Sequence, residues 1–97
     1  MVRVRSGADT DPEPILESLR ARRGLSGAKL DGYLAARDDM LRGRTEAQFL
    51  ETARRVGPYL TVTAGIALER AHQAWIDETI ASLNARRGRS RPRSARR

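Results

Sequence analysis

Residues 57–83 read GPYLTVTAGIALERAHQAWIDETIASL and hold the chain's only His, its only Trp and one of its two Tyr residues. The segment YLTVTAGIAL has β-branched residues in partial alternation, so intrinsic preference alone allows a strand. The continuation decides for a helix. Leu60, Ala64, Leu68, Ala71, Trp75, Thr79 and Leu83 follow at steps of three or four, and Ile76 and Ile80 widen the stripe. Gly57 and Pro58 mark the start, because a Pro pushes the residue before it away from helical geometry and itself fits a first turn. The spacing predicts one helix over about residues 58–86, roughly 40 Å long at 1.5 Å per residue. The apolar part is well short of the ~20 residues that cross a bilayer.

Upstream, DTDPEPILESLRARR predicts a helix with Asp11 as cap, Pro12 at the first helical position, and Glu13 and Glu17 at the positive dipole end. Ile15, Leu16 and Leu19 form its apolar side. Gly24 and Gly27 suggest a break or kink in preference to a weak joint in one long helix, with Ser26 a cap for a second helix that places Leu30, Tyr33, Leu34 and Leu41 at helical spacing. Gly32 weakens that element by roughly 1 kcal/mol relative to Ala. Gly43 ends it, and Thr45 opens a further helical stretch with Ala47, Phe49, Leu50 and Ala53 on its apolar face.

Short helices of that kind leave much of a 58–86 helix uncovered. Ala64, Ala67, Ala71 and Ala74 are small enough for another helix to approach closely, and Trp75 adds a large apolar surface. The same helix from a second subunit, crossing about a two-fold axis, is the simplest cover. A chain of 97 residues buries a limited fraction of its surface, which favours such association. The expectation is therefore an all-α fold of three to four helices whose long C-terminal helix pairs across a two-fold dimer interface. Leu60, Ala64, Ala67, Leu68, Ala71, Trp75, Thr79 and Leu83 are its expected interface residues.

The net charge of +7 is unevenly placed. Residues 1–85 hold 12 basic and 12 acidic side chains, so the excess lies in residues 86–97, RRGRSRPRSARR. That segment lacks large apolar side chains and is expected to be disordered when free. The sequence thus divides into a lead-in over 1–10, a helical domain over 11–86 and an Arg-rich tail over 87–97. The lack of Cys fits a reducing compartment. The basic N-terminus is not followed by an apolar run, so it is no secretory signal, and a cytoplasmic location is expected.

Two segments resemble a known family. In YLTVTAGIALERAHQAWIDETIASL, the residues Gly65, Ile66, Glu69, Trp75, Ile76, Ile80 and Leu83 match the closing helix of the C-terminal domain of PadR-like transcriptional regulators. DPEPILESLRARRG is similar to the start of the same domain, and together the likeness covers about residues 9–85. It implies a helical domain whose last helix pairs with its mate, sets the spacing of two winged-helix heads on DNA, and in some relatives lies near an aromatic effector. The eight residues before residue 9 are too few for a helix-turn-helix, so this chain is expected to act without reading DNA itself. Its expected partner is a second copy or a full-length PadR-like regulator, and the Gly24, Gly27 and Gly32 cluster departs from the family's smoother helix.

Individual residues carry competing readings. Trp75 either stacks on an aromatic effector or fills a dimer core, and large aromatics on helix stripes are more often core. His72, one turn earlier, is a second candidate effector contact. It lacks the Cys or clustered carboxylates of a metal site, and no metal or cofactor is expected. The pairs Asp38/Asp39 and Asp77/Glu78 are adjacent, so on a helix their members diverge by about 100° and make no acid–base dyad. No phosphate loop or nucleophile elbow occurs, so an enzyme is not expected. The alternative is a small helical protein that binds nucleic acid non-specifically through Arg86, Arg87, Arg89, Arg91, Arg93, Arg96 and Arg97. The tail has no aromatic residue for base stacking, so selective single-strand recognition is not expected.

Overall fold

A computed structural model describes residues 11–90, with side chains through residue 88. The described residues are all helical apart from short connections, in three elements: α1 (Glu13–Leu41), α2 (Glu46–Thr52) and α3 (Gly57–Ser90). The lead-in over 1–10 and residues 91–97 of the expected tail lie outside the described residues.

The cap falls one residue later than expected, although Asp11 Oδ1 still accepts from the Glu13 N–H at 3.0 Å. Pro12 takes the cap position, and its carbonyl accepts from the Leu16 N–H at 2.9 Å. The expected break at Gly24–Gly27 does not occur. α1 runs through both glycines, and neither has other atoms within 4 Å of where a Cβ would stand. The reason is tertiary: Ser26 is not a cap but a buried seam residue, and packing outweighs the roughly 1 kcal/mol that each Gly costs a helix.

α1 stops where the backbone turns left-handed at Arg42 (φ 53°) and Gly43 (φ 78°). Arg44 covers the loose end, its Nε and Nη2 donating to the carbonyls of Leu41 (2.8 Å) and Met40 (3.0 Å). Thr45 then starts α2 with a reciprocal cap. Gln48 N–H donates to Thr45 Oγ1 at 3.1 Å, and Thr45 N–H donates to Gln48 Oε1 at 2.8 Å. α2 is thus a separate helix. It docks on the start of α3 through Phe49 and Tyr59, with ring centroids 4.7 Å apart. Tyr59 Oη donates to Glu46 Oε2 at 2.7 Å, and that bond, ahead of burial, holds the phenol above its ordinary range.

α1 and α3 form an antiparallel hairpin. The pairing is read from Arg87 to Glu13 at the open end, Arg23 to Asp77 in the middle, and Tyr33 over Gly65 nearer the turn. On α3 the covered positions are Tyr59, Val62, Ile66, Glu69, Gln73, Ile76, Ile80 and Leu83, spaced alternately three and four. Leu16, Leu19, Arg23, Ser26, Leu30, Tyr33 and Arg37 repeat that spacing on α1. Such a repeat keeps one seam of each helix facing the other. Because α1 is unbroken, it covers one whole side of α3, which short helices were not expected to do.

The long helix begins at Gly57 as expected but continues through Ser90, beyond the expected end at residue 86. Residues 87–90 are therefore helix rather than tail. Arg87, bonded to Glu13, ties that extra turn to the start of α1.

Candidate functional site

The seam uses only one side of α3. At about 100° per residue, the seam positions cluster on one arc, and Leu60, Ala64, Ala67, Leu68, Ala71 and Trp75 fall on the opposite side. All six are exposed, Leu60 by 53%, Leu68 by 67% and Trp75 by 50%. Thr79 and Leu83 belong elsewhere: both are half-buried, and Leu83 lies in phase with Ile76 and Ile80 on the α1 side. The expected interface therefore divides. Six of its residues share a solvent-facing stripe, and its last two drift toward the hairpin's own core because 3.6 residues per turn carries a step-of-four pattern around the helix.

The stripe extends onto α1. A groove of about 370 Å³ runs between Trp75 and the α1 residues Pro14, Ile15, Ser18, Leu19 and Arg22. Ile15 is 54% exposed there, and Leu25, one turn beyond Arg22, is exposed too. A second groove of about 340 Å³ is lined by Arg22, Leu25, Ser26, Ala28, Lys29, Glu69 and His72. Arg22 borders both. His72 and Trp75 stand one turn apart with nearly parallel rings, centroids 6.3 Å apart and planes 20° apart.

Beneath the second groove lies a polar cluster that sequence reasoning missed. Ser26 Oγ donates to Glu69 Oε1 at 2.6 Å, and Gln73 Nε2 donates to Ser26 Oγ at 3.3 Å. Glu69 and Ser26 are both buried. Lys29 Nζ at 4.0 Å and His72 Nδ1 at 3.9 Å complete the surroundings of the carboxylate. A buried carboxylate needs such donors, because desolvation without them is costly. The available signal was spacing: Glu69 and Gln73 sit in phase with Ile66, Ile76 and Ile80, where an apolar residue is the rule.

Asp77, one of the adjacent carboxylates, is exposed and accepts from Arg23 Nε at 2.9 Å and Nη2 at 3.3 Å. Of the arginines proposed for nucleic acid, Arg87 is engaged with Glu13, and that hydrogen bond is the chief reason the Glu13 carboxyl titrates below its ordinary value. Arg86 is exposed, on the last turns of α3. Arg89 is helical with its side chain outside the description, and Arg91, Arg93, Arg96 and Arg97 lie outside the described residues. Among the described residues there is no group of three or more His, Cys, Asp or Glu residues able to hold a metal, and no helix long and apolar enough to cross a membrane.

No curated protein and no solved structure matches the chain. A family model does, over residues 1–84; its description is virulence activator alpha C-term. The match covers both segments on which the resemblance to a regulator's C-terminal domain was based, and it takes in the lead-in as well. An all-helical hairpin with a long last helix, matched over 84 of 97 residues, belongs to the virulence activator alpha C-terminal domain family.

Proposed function

We propose that this chain is the dimerisation domain of a PadR-like transcriptional regulator, pairing with a second copy or with a full-length PadR-like partner. Its part in transcription regulation is assembly rather than base reading. The observation that carries this reading is the outer stripe of α3. One side of the helix is packed against α1, and the other still presents Leu60, Leu68 and Trp75 around three exposed alanines. Contiguous apolar surface of this kind on a small soluble domain marks an interaction site. Family membership agrees with a regulatory C-terminal domain.

The test is molar mass by light scattering, at salt high enough to screen the C-terminal arginines, for the wild type and for Trp75→Glu. A wild-type dimer that the substitution splits supports the reading. A wild-type monomer overturns pairing with a second copy.

The paired rings of His72 and Trp75 favour an additional role in effector binding. In this reading an aromatic acid lies in the groove beside His72, its ring against Leu25 and its carboxylate toward Arg22 or Lys29. Trp75 is the chain's only Trp, so titrating aromatic carboxylates while following its fluorescence reads the event directly. An emission spectrum indifferent to every such ligand, with no competing heat signal in calorimetry, removes the effector role.

A further inference from the structure

Resting on the effector reading above, we propose that the ligand of the groove beside His72 is a zwitterion, an aromatic α-amino acid. Its ammonium group donates to the Glu69 carboxylate at the groove's floor, and its own carboxylate turns to Lys29 and Arg22 at the rim.

The first support is a buried carboxylate with one oxygen left over. The Glu69 side chain is only 9% exposed, and what remains accessible lines the groove. Its Oε1 accepts from the Ser26 hydroxyl at 2.6 Å. That uses the single proton of Ser26, and Gln73 Nε2 donates to the serine oxygen rather than to the carboxylate. Among the described residues Oε2 accepts no hydrogen bond. Lys29 Nζ stands 4.0 Å from it, outside hydrogen-bond range, at the end of a side chain that is 66% exposed. Lys29 is itself a lining residue, so Oε2 lies on the groove side of the carboxylate. A charge this far out of water is costly unless donors replace the solvent, and the open position for a donor is inside the groove.

The second support is the balance of charge. Arg22 and Lys29 both line the groove, against the one carboxylate of Glu69, and Arg22 makes no ion pair among the described residues. A ligand with an amine alone would add to the positive surplus. A ligand with a carboxylate alone would leave Oε2 without a donor. An ammonium and a carboxylate on one carbon answer both, since Lys29 and Glu69 present the complementary pair only 4.0 Å apart. Leu25, 69% exposed, and Ala28 supply the apolar wall for the side chain, with the His72 ring at the flank. The volume of about 340 Å³ suits a molecule of that size.

Calorimetry on the full chain with three matched probes tests the assignment: L-phenylalanine, 3-phenylpropionate, which lacks the amine, and 2-phenylethylamine, which lacks the carboxylate. In the wild type, phenylalanine is expected to bind at least about tenfold more tightly than either. Glu69→Gln keeps the size of the side chain and an acceptor for Ser26 but removes the charge. In that variant phenylalanine should lose its advantage over 3-phenylpropionate, whose own affinity stays unchanged. The wild-type series decides the matter even where Glu69→Gln weakens the fold. Equal binding of phenylalanine and 3-phenylpropionate, or tightest binding of 2-phenylethylamine, overturns the zwitterion and leaves an effector groove standing. So does binding of other aromatic carboxylates with no response to phenylalanine. Indifference to every aromatic carboxylate, amino acids included, overturns both readings.

Discussion

Gly65 lies directly beneath the ring of Tyr33, so close that a Cβ on Gly65 would stand 2.6 Å from Cζ and 2.7 and 2.9 Å from the two Cε atoms. The outer half of the ring thus fills the space of a missing side chain, and α1 and α3 meet there more closely than two side chains allow. In an exposed helix Gly→Ala gains roughly 1 kcal/mol. Here the ring must lift from the seam, an overpacking cost of about 1–3 kcal/mol. Gly65→Ala is therefore expected to lower stability by about 1 kcal/mol in the wild type, and to raise it by a similar amount in a Tyr33→Ala background. A double-mutant cycle from urea unfolding reads the reversal; equal effects in both backgrounds would show that the two residues do not meet.

That contact also shows what the sequence could and could not reveal. The helical nature of residues 58–86 was legible because apolar residues recur at steps of three and four over many turns, whereas residues 87–90, RGRS, carry no such repeat and were read as tail. Gly65 was noticed through its likeness to a family motif, but nothing local indicated that Tyr33, 32 residues earlier, would occupy its empty side. The unbroken α1 was illegible for a related reason. Gly24 and Gly27 are local signals of a stop, and what overrides them is a seam built with a distant segment. The outer stripe was read in part. Leu60 to Trp75 were separated from the rest by size and spacing, whereas Thr79 and Leu83 continue the same steps of four into a different face. Ser26 was read as a cap, Glu69 only as a family-motif position and Gln73 not at all, because polar residues in a seam are recognised only once their partners are known.

Ser26 is expected to matter more than its size suggests. Its hydroxyl supplies a 2.6 Å hydrogen bond to the buried Glu69 carboxylate, and bonds to a charged group are worth about 1.5–3 kcal/mol when the partner is left behind. Ser26→Ala should lower the urea midpoint by an amount equivalent to that range. Lys29→Ala removes a 66%-exposed ammonium at 4.0 Å from the same carboxylate and should cost less than about 1 kcal/mol. Equal losses from the two substitutions would mean that charge alone, and not the hydroxyl, supports Glu69.

Glu13 gives the hairpin an acid-sensitive clasp. Its carboxyl titrates below the ordinary value of 4.5, first because Arg87 donates to it and then through the opposite charges of Arg87 and of Arg20, which lies 3.4 Å away. A depressed folded value means that the unfolded chain binds the proton more readily. The stabilisation is therefore present above the unfolded value and is lost as pH falls through the folded one. Arg87→Gln should be less stable than wild type near neutral pH, and the gap should narrow as pH is lowered from neutral to below the ordinary carboxyl value of 4.5. A gap that stays constant to the bottom of that range would assign the role of Arg87 to packing of its stem. An NMR titration in which the Glu13 carboxyl moves upward in the variant checks the cause independently.

The glycines of α1 supply the opposite kind of prediction, a gain. Gly24, Gly27 and Gly32 are inside a continuous helix, none at positive φ, and a Cβ at each would meet nothing within 4 Å. Each therefore carries the entropic cost of glycine without a packing reason for it, about 1 kcal/mol relative to Ala. The triple substitution to Ala should stabilise the protein by about 2–3 kcal/mol. In a domain of this size each kcal/mol raises the melting midpoint by about 4–8 °C, so calorimetry at one fixed protein concentration detects the effect readily. If these glycines instead serve a bend needed by the assembled protein, the variant would melt higher as a monomer yet lose dimer mass in light scattering. A rise in melting temperature with the oligomeric state unchanged would show that the glycines are tolerated weak points, overridden by the seam from Leu16 to Arg37.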